Sequence, residues 1–318
     1  MTALLSVRGL RKTFDLKRGA SIPAVRDVSF DVAAGEAVAL VGESGSGKST
    51  TARLIARLES PTAGEIRLGD QDVLRTEPRR PSLAFRSRIQ MIFQDPFASL
   101  NPFHTIAHHL RRPLLRHRKA NRGAPVAAAV NRLLETVGLT PAADFARKRP
   151  HQASGGQRQR VAIARALAVD PQLILADEPT SMLDVSIRVD ILNLLLTLKR
   201  DRQLAILFIT HDLAAARYVA DRILVMYAGL IVESGAATTL LDDPLHPYTQ
   251  LLVSAVPSPD HPITAARPIT QSRPISLRAG CPFSDRCPYV IDRCLTELPS
   301  LRLIHAGHEV RCHLPIAP

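Results

Sequence analysis

The sequence has no tryptophan, and aromatic residues of all kinds make up 4% of its 318 positions. A surface that stacks successive bases of a single strand is built from such rings, so composition argues against that class of nucleic-acid binder. No apolar run approaches the roughly 20 residues of a membrane-crossing helix. The opening MTALLSVRGL has neither a basic leader nor a long enough apolar stretch for a secretory signal peptide. The chain is therefore expected in the cytoplasm, and any membrane role requires a separate membrane partner. Acidic residues are also short, 29 against 41 Lys and Arg, leaving a formal charge of +12. That surplus suits nucleotide phosphates, nucleic acid or an anionic membrane surface without choosing among them. Cysteine is nearly absent: four residues, all beyond position 280. What is plentiful is hydrophobic, at 46%. With this length, that is enough for one large α/β domain plus a smaller unit.

Residues 4–41 read as short strands. Leu5, Val7 and Leu10 begin one, Val28, Phe30 and Val32 alternate in another, and Ala37 to Val41 form a continuous buried one. Phe14 falls in the first connection, where spacing alone favours core packing. Directly after the buried strand comes Gly42-Glu-Ser-Gly-Ser-Gly-Lys48-Ser49, followed by a predicted helix through Leu58. This is a phosphate loop in its strand–loop–helix setting. Its glycines, Gly42, Gly45 and Gly47, let main-chain amides turn inward around phosphate oxygens, with Ser44, Ser46 and Thr50 completing the loop and first turn. Lys48 reaches the β- and γ-phosphates, and the Ser49 hydroxyl is suited to Mg²⁺. The spacing thus predicts a nucleoside triphosphate site.

Residues 61–77 suggest a turn and small strands around Gly64 and Gly69, and Ile89 to Phe93 a strand ending at Gln94. From Phe97 to about Pro150 helix formers and basic residues dominate, an insert within the nucleotide domain. Pro125 stands near one helix start and Gly138 just past its end, with Val126, Val130, Leu133, Leu134 and Val137 on one face. The basic run of Arg111, Arg112, Arg116, Arg118, Lys119 and Arg122 reads as a solvated face, the functional alternative being contact with a membrane surface or an acidic partner.

The stretch His151–Asp184 holds a glycine pair, Gly155 and Gly156, that is no complete phosphate loop: it lacks the lysine and the preceding strand. A helix follows from Gln157 to Ala168, then an apolar strand from Leu173 to Ala176 that ends on Asp177 and Glu178. Two acids at the tip of a buried strand repel and are both desolvated, a conflict that a bound cation resolves. Asp177 is the candidate for Mg²⁺ and Glu178 the candidate base for an attacking water. Asp184 is placed to cap the helix carrying Val185 to Leu198. A further buried strand, Leu204 to Ile209, ends at His211, on the edge where open α/β sheets bind ligands.

Beyond residue 254 the chain turns Pro-rich, with 10 of its 24 prolines in residues 255–318. Cys281, Cys287, Cys294 and Cys312 are separated by gaps of five, six and seventeen residues. Cytoplasmic disulfides are disfavoured, and the first gaps exceed those of zinc ribbons. Four thiolates suit a [4Fe–4S] cluster. Spacing leaves a cluster, zinc and unligated thiols all open.

Taken together, GESGSGKST, Gln94, SGGQRQR, LILADEP, SMLD and His211 resemble, in order and spacing, the ATP-binding-cassette (ABC) ATPases over about 250 residues. The resemblance implies a P-loop ABC nucleotide-binding domain over 1–254, with a RecA-like core, an antiparallel β subdomain and a helical subdomain near 97–168. A small Pro/Cys-rich extension would follow over 255–318. It implies that Phe14 stacks on adenine, that Gln94 lies between Mg²⁺ and the permease, and that His211 senses the γ-phosphate. It makes Ser154, Gly155, Gly156 and Gln157 the signature that meets ATP bound to a second ABC subunit. Ala153 and Met182 depart from the commonest pattern without removing a phosphate ligand.

QDPFASLNP, HPYTQLL and GCPFSDRCPYVIDRC are similar to the oligopeptide/dipeptide importer branch, which also carries nickel complexes and other small solutes. That likeness implies a [4Fe–4S] cluster on the four cysteines. As partners it implies two transmembrane permease subunits, a second ATPase subunit and an extracytoplasmic substrate-binding protein. Its expected place is the cytoplasmic face of the membrane, held peripherally, with no nucleic acid. A soluble ABC ATPase acting on nucleic acid or ribosomes would also explain the charge. Such chains usually carry two cassettes or a long coiled coil, whereas this one shows a single cassette and no sustained heptads. A regulatory subunit that binds ATP without hydrolysis is opposed by the presence of Glu178 and His211.

Overall fold

Alternation of side chains along one buried strand divides the molecule into two cores. In the computed structural model, which describes residues 3–15, 21–77, 80–255, 279–305 and 307–314, the segment Ala37–Val41 is buried throughout. Ala37, Ala39 and Val41 face one hydrophobic cluster, and Val38 and Leu40 face another. Period-two geometry requires this split, and near-continuous apolar strands are what a parallel sheet covered on both faces demands.

The strands in chain order are β1 (Ala3–Asp15), β2 (Ser21–Ala33), β3 (Ala37–Val41), β4 (Ala63–Leu68), β5 (Gln71–Asp72), β6 (Ile89–Ile92) and β7 (Leu173–Asp177). They continue with β8 (Ala205–Thr210), β9 (Arg222–Tyr227), β10 (Leu230–Ala236), β11 (Arg302–His305) and β12 (His308–Val310). Strands β9-β3-β8-β7-β6 lie side by side, all joined in parallel. Strands β5, β4, β1 and β2 form an antiparallel wing, which meets β10 at the pair Leu230 and Asp27. Leu5, Val7, Leu10, Val28 and Val32 are fully buried there, as their spacing predicts.

One core packs the helix Lys48–Ile55 and the antiparallel wing against the sheet, through Leu54, Ile55, Val28 and Ile66. The other packs the helices Ile106–Arg116, Ala124–Thr136, Ala142–Arg147, Gly155–Leu167 and Val185–Arg202. Pro125 lies in the first turn of Ala124–Thr136, and Gly138 follows its end at φ 69°. The predicted apolar stripe Val126, Val130, Leu133, Leu134 and Val137 is buried. The basic run from Arg111 to Arg122 is exposed at each of its cations, as a solvated face should be.

Several local expectations differ from the structure, three of them as follows. The helix after the phosphate loop ends at Ile55, short of Leu58, because Arg57 turns left-handed at φ 56°. Residues Val73–Thr76 are helical; Asp72 caps that turn by accepting from the amides of Leu74 and Arg75. Asp184 does stand before the helix Val185–Arg202, but its side chain makes no capping hydrogen bond.

The C-terminal part is joined to the sheet. Strand β12 pairs with β10 at Glu233 and Ser234, and β11 pairs with β12. Glu233 is fully buried and satisfied by three donors: the amides of Leu245 (2.8 Å) and His246 (3.0 Å) and His308 Nε2 (2.8 Å). A buried carboxylate without such partners would be strongly destabilising. Burial pushes His246 down to a pKa of about 4. Its neutral Nδ1 accepts from the Tyr248 amide at 3.0 Å and caps the helix Pro247–Ser254. Residues 256–278, the Pro-rich start of the extension, lie outside the described residues.

Candidate nucleotide site

The phosphate loop follows β3 and opens the helix Lys48–Ile55. Two of its glycines are required by close approach as well as by positive φ. A Cβ at Gly42 (φ 150°) would stand 2.2 Å from the Met226 carbonyl oxygen, and one at Gly47 (φ 107°) 2.3 Å from that of Ala24. Both contacts are with backbone, so neither position has room for a side chain. Lys48 is buried and donates to the carbonyls of Gly42 (2.7 Å) and Glu43 (2.8 Å). Its pKa is lowered chiefly by burial, against the raising fields of Glu178, Asp177 and Glu43.

The parallel sheet brings the acids to this loop. Strand β7 carries Asp177 at its C-terminal end, beside β8, whose end leads to His211. Ser49 Oγ donates to Asp177 Oδ1 at 2.8 Å. Asp177 is buried and its pKa is raised chiefly by desolvation, with Glu178 adding to the rise. Glu178 stands between Gln94 and His211: Gln94 Nε2 donates to its Oε2 at 3.1 Å, and His211 Nδ1 lies 3.1 Å from its Oε1. The Glu178 backbone is left-handed at φ 45°. For a residue with a Cβ that costs on the order of 1–3 kcal/mol, and such strain persists where surroundings over-determine it. Its amide donates to the Ile209 carbonyl at 2.8 Å, and its carbonyl accepts from Ser181 Oγ at 3.1 Å. No sequence pattern discloses that conformation.

A cavity of about 460 Å³ joins these parts, lined among others by Gly45, Lys48, Ser49, Gln94, Glu178 and His211. Ser44, Gly47 and Thr50 also face it. Asp177 lines the adjoining 850 Å³ cavity together with Ser49 and Gln94. Gly42 and Ser46 are buried within the loop. Phe14 does not line the cavity; it lies within β1, paired with Ile22 in the ladder rather than in a connection as expected, and is half-buried with Lys12 Nζ 4.8 Å from its ring centre.

Ser154, Gly155, Gly156 and Gln157 do not line it either. Ser154 is the N-cap of the helix Gly155–Leu167, two residues earlier than the expected start, and shares a reciprocal capping box with Gln157. A Cβ at Gly156 would meet Ile187 Cγ2 at 2.4 Å, so that glycine also lets the following helix pack closely. Ala153 is buried in the core and Met182 is 53% exposed.

Two residues at the loop escaped the sequence reading as site residues. Tyr248 Oη accepts from the Glu43 amide at 2.8 Å. Arg286 grips the Glu43 carboxylate with both terminal nitrogens, at 2.9 and 2.8 Å. HPYTQLL and the Cys-rich tail were visible as motifs; their meeting at Glu43 is a tertiary fact with no local signal.

Cys294 and Cys312 are buried, Cys281 and Cys287 half-buried, and none is in a disulfide. Burial pushes the Cys281 thiol up to about 11, and the other three cysteines each push it further in the same direction. The four thiols therefore share one neighbourhood. Burial raises the Cys287 and Cys312 thiols as well, and the amides of Phe283, Tyr289 and Leu314, each two residues on from Cys281, Cys287 and Cys312, offset only part of that rise. Among the described residues, however, no three His, Cys, Asp or Glu are gathered as a site for a metal ion. Neither a cluster nor zinc finds support in that arrangement.

The ABC transporter family profile matches residues 25–181, and that of the oligopeptide/dipeptide transporter C-terminal region matches 232–294. The chain is 42% identical over 323 residues to the di/tripeptide transport ATP-binding protein DppF of Pseudomonas aeruginosa, covering 98% of each chain. It is 49% identical over 257 residues to the oligopeptide transport ATP-binding protein OppF of Bacillus subtilis, covering 81% of this chain and 83% of that one. Among solved structures it is similar to the dimeric ATP-binding cassette MJ0796 bound to ADP and Pi. That match has a TM-score of 0.64 and 32% identity, covering 73% of this chain and 98% of the other. The chain belongs to the ABC transporter ATPases, in the branch that bears the oligopeptide/dipeptide transporter C-terminal region.

Proposed function

We propose that this chain is the ATP-hydrolysing subunit of an importer of dipeptides or oligopeptides. The observation that carries this reading is Glu178, held between Gln94 and His211 on the cavity of a complete phosphate loop. The match of residues 232–294 to the peptide-transporter C-terminal region supports the class of solute.

In this reading Lys48 and the loop from Gly42 to Thr50, apart from the Glu43 amide that Tyr248 holds, bind the triphosphate, and Phe14 receives the adenine. Lys48 now donates to two loop carbonyls, so nucleotide phosphates exchange one set of oxygen partners for another rather than meeting a bare ammonium. Ser49, Asp177 and Gln94 offer hard oxygen ligands, the donor set that Mg²⁺ takes. The close Ser49–Asp177 pair fits that use. Mg²⁺, when bound, neutralises charge on the phosphates. Glu178 orients and deprotonates the attacking water, while Gln94 and His211 hold its carboxylate in place. His211 also meets the γ-phosphate.

Ser154 to Gln157 lie outside the chain's own cavity, which supports their serving ATP on a second ATPase subunit. Two permease subunits and an extracytoplasmic substrate-binding protein complete the assembly. The chain would sit peripherally on the cytoplasmic face; no described helix is long and apolar enough to cross a membrane. Purification of the chain from its native membrane tests the reading. Multispanning proteins should accompany it, and salt-sensitive DNA or RNA binding without them would contradict it.

The cysteines are assigned to a [4Fe–4S] cluster, for which four thiols in one neighbourhood with amide donors to three of them are suited. Cys281, Cys287, Cys294 and Cys312 would hold it, in a structural role, since phosphoryl transfer has no redox step. Protein purified without air should contain about four iron atoms and four acid-labile sulfides per chain. Zinc, or no metal at all, would end the assignment.

A further inference from the structure

Glu43 is the second residue of the phosphate loop, and each of its three polar groups is taken. Its carbonyl accepts from Lys48 Nζ at 2.8 Å, its amide donates to Tyr248 Oη at 2.8 Å, and its carboxylate receives a two-pronged grip from Arg286. The last two partners belong to the segment beyond β10: Tyr248 to the helix Pro247–Ser254 and Arg286 to the turn Ser284–Arg286. Both are built in. Tyr248 is fully buried, and the Arg286 side chain is 13% exposed. The guanidinium lies 5.8 Å from the Tyr227 ring centre and 5.5 Å from that of Phe283. Those rings pack on Tyr248 at 4.6 and 5.5 Å. A guanidinium bonded to both carboxylate oxygens, with two aromatic rings within cation–π range, has little freedom to leave.

We propose that Arg286 and Tyr248 are positioning residues for ATP binding, by which the C-terminal segment holds Glu43 and cancels its charge beside the phosphate site. The need follows from electrostatics. A carboxylate on the loop that must receive a polyanion opposes the ligand, and the field of Glu43 does reach Lys48. A guanidinium bonded to both oxygens removes that opposition without displacing Lys48. Tyr248 supplies the geometric half by fixing the first turn of the loop through a main-chain amide. The inference rests on Gly42 to Ser49 being the triphosphate site.

The test is steady-state ATP hydrolysis by the full chain at two ionic strengths. Arg286→Ala should raise KM for ATP threefold to tenfold while kcat changes less than twofold. Because Glu43 is 42% exposed, salt screens it. The ratio of variant to parent KM should therefore shrink at 0.5 M salt relative to 0.1 M. Adding Glu43→Gln to Arg286→Ala should return KM to within twofold of the parent, since the unbalanced anion is then gone. A purely structural role would lower the active fraction, leave KM alone and gain nothing from Glu43→Gln. If Arg286→Ala fails to fold, Arg286→Gln, which keeps a polar side chain without the charge, carries the same expected rise. An unchanged KM in the variant, or no rescue in the double variant, overturns the proposal. A parent chain that binds no ATP would instead overturn the site assignment on which it rests.

Discussion

Glu178→Gln is expected to bind ATP as the parent does and to hydrolyse it more slowly by on the order of 10²-fold or more. The size follows from what the substitution changes and what it spares. Glutamine matches glutamate in shape, and its carbonyl oxygen still accepts from Gln94 Nε2, which now bonds Glu178 at 3.1 Å. The left-handed backbone at φ 45° stays anchored by the amide bond to Ile209. Lys48, Ser49 and the loop glycines are untouched, so the phosphates keep their donors. What disappears is the one group on the cavity wall able to take a proton from water while held by two neighbours. His211 lies 3.1 Å from Glu178, but it is 58% exposed and loses its carboxylate partner in the variant. Equilibrium ATP binding and single-turnover hydrolysis together check this. Turnover near that of the parent would remove Glu178 from the role.

The second large effect belongs to another subunit's site. In a mixed dimer, Ser154→Arg should abolish most hydrolysis at the partner's site and leave its own site working. Ser154 is exposed at the start of the helix Gly155–Leu167, so an arginine fits without entering the core. Its local cost is the capping bond to the Gln157 amide, worth about 1 kcal/mol. That is small beside the loss expected where a bulky cation replaces a small hydroxyl facing nucleotide across an interface. Pairing the variant with a subunit bearing Glu178→Gln isolates each site in turn. Loss confined to the variant's own site would refute completion in trans.

The parallel core was legible because its strands are short, apolar throughout and bounded by turns, and the loop at Gly42 to Ser49 follows one of them. Asp177 and Glu178 could be placed at the site because two acids at the tip of a buried strand call for a cation, and His211 because a strand's C-terminal end is where such sheets bind ligands. The departures have local causes that the sequence pattern conceals. Val73–Thr76 carries strand-like residues but is wound by the Asp72 cap. Asp184 has the residue type of a cap without the bond, so type alone was insufficient. Glu43, Tyr248 and Arg286 meet across more than 200 positions of chain, where no periodicity operates. The buried Glu233–His308 pair is of the same kind: its partners come from β10 and β12. In the sequence Gly156 has only a ligand-facing reading. The structure adds a packing reason through Ile187, so one residue answers to two constraints.

Hydrolysis at this site is expected to drive peptide across a membrane through a permease. The most direct measurement of this is uptake of a labelled peptide into vesicles containing the complete transporter, with ATP and Mg²⁺ supplied on the ATPase side. Accumulation should require ATP and should disappear when Glu178→Gln is introduced. Peptide uptake unaffected by that substitution, or ATP hydrolysis with no peptide movement, would contradict it.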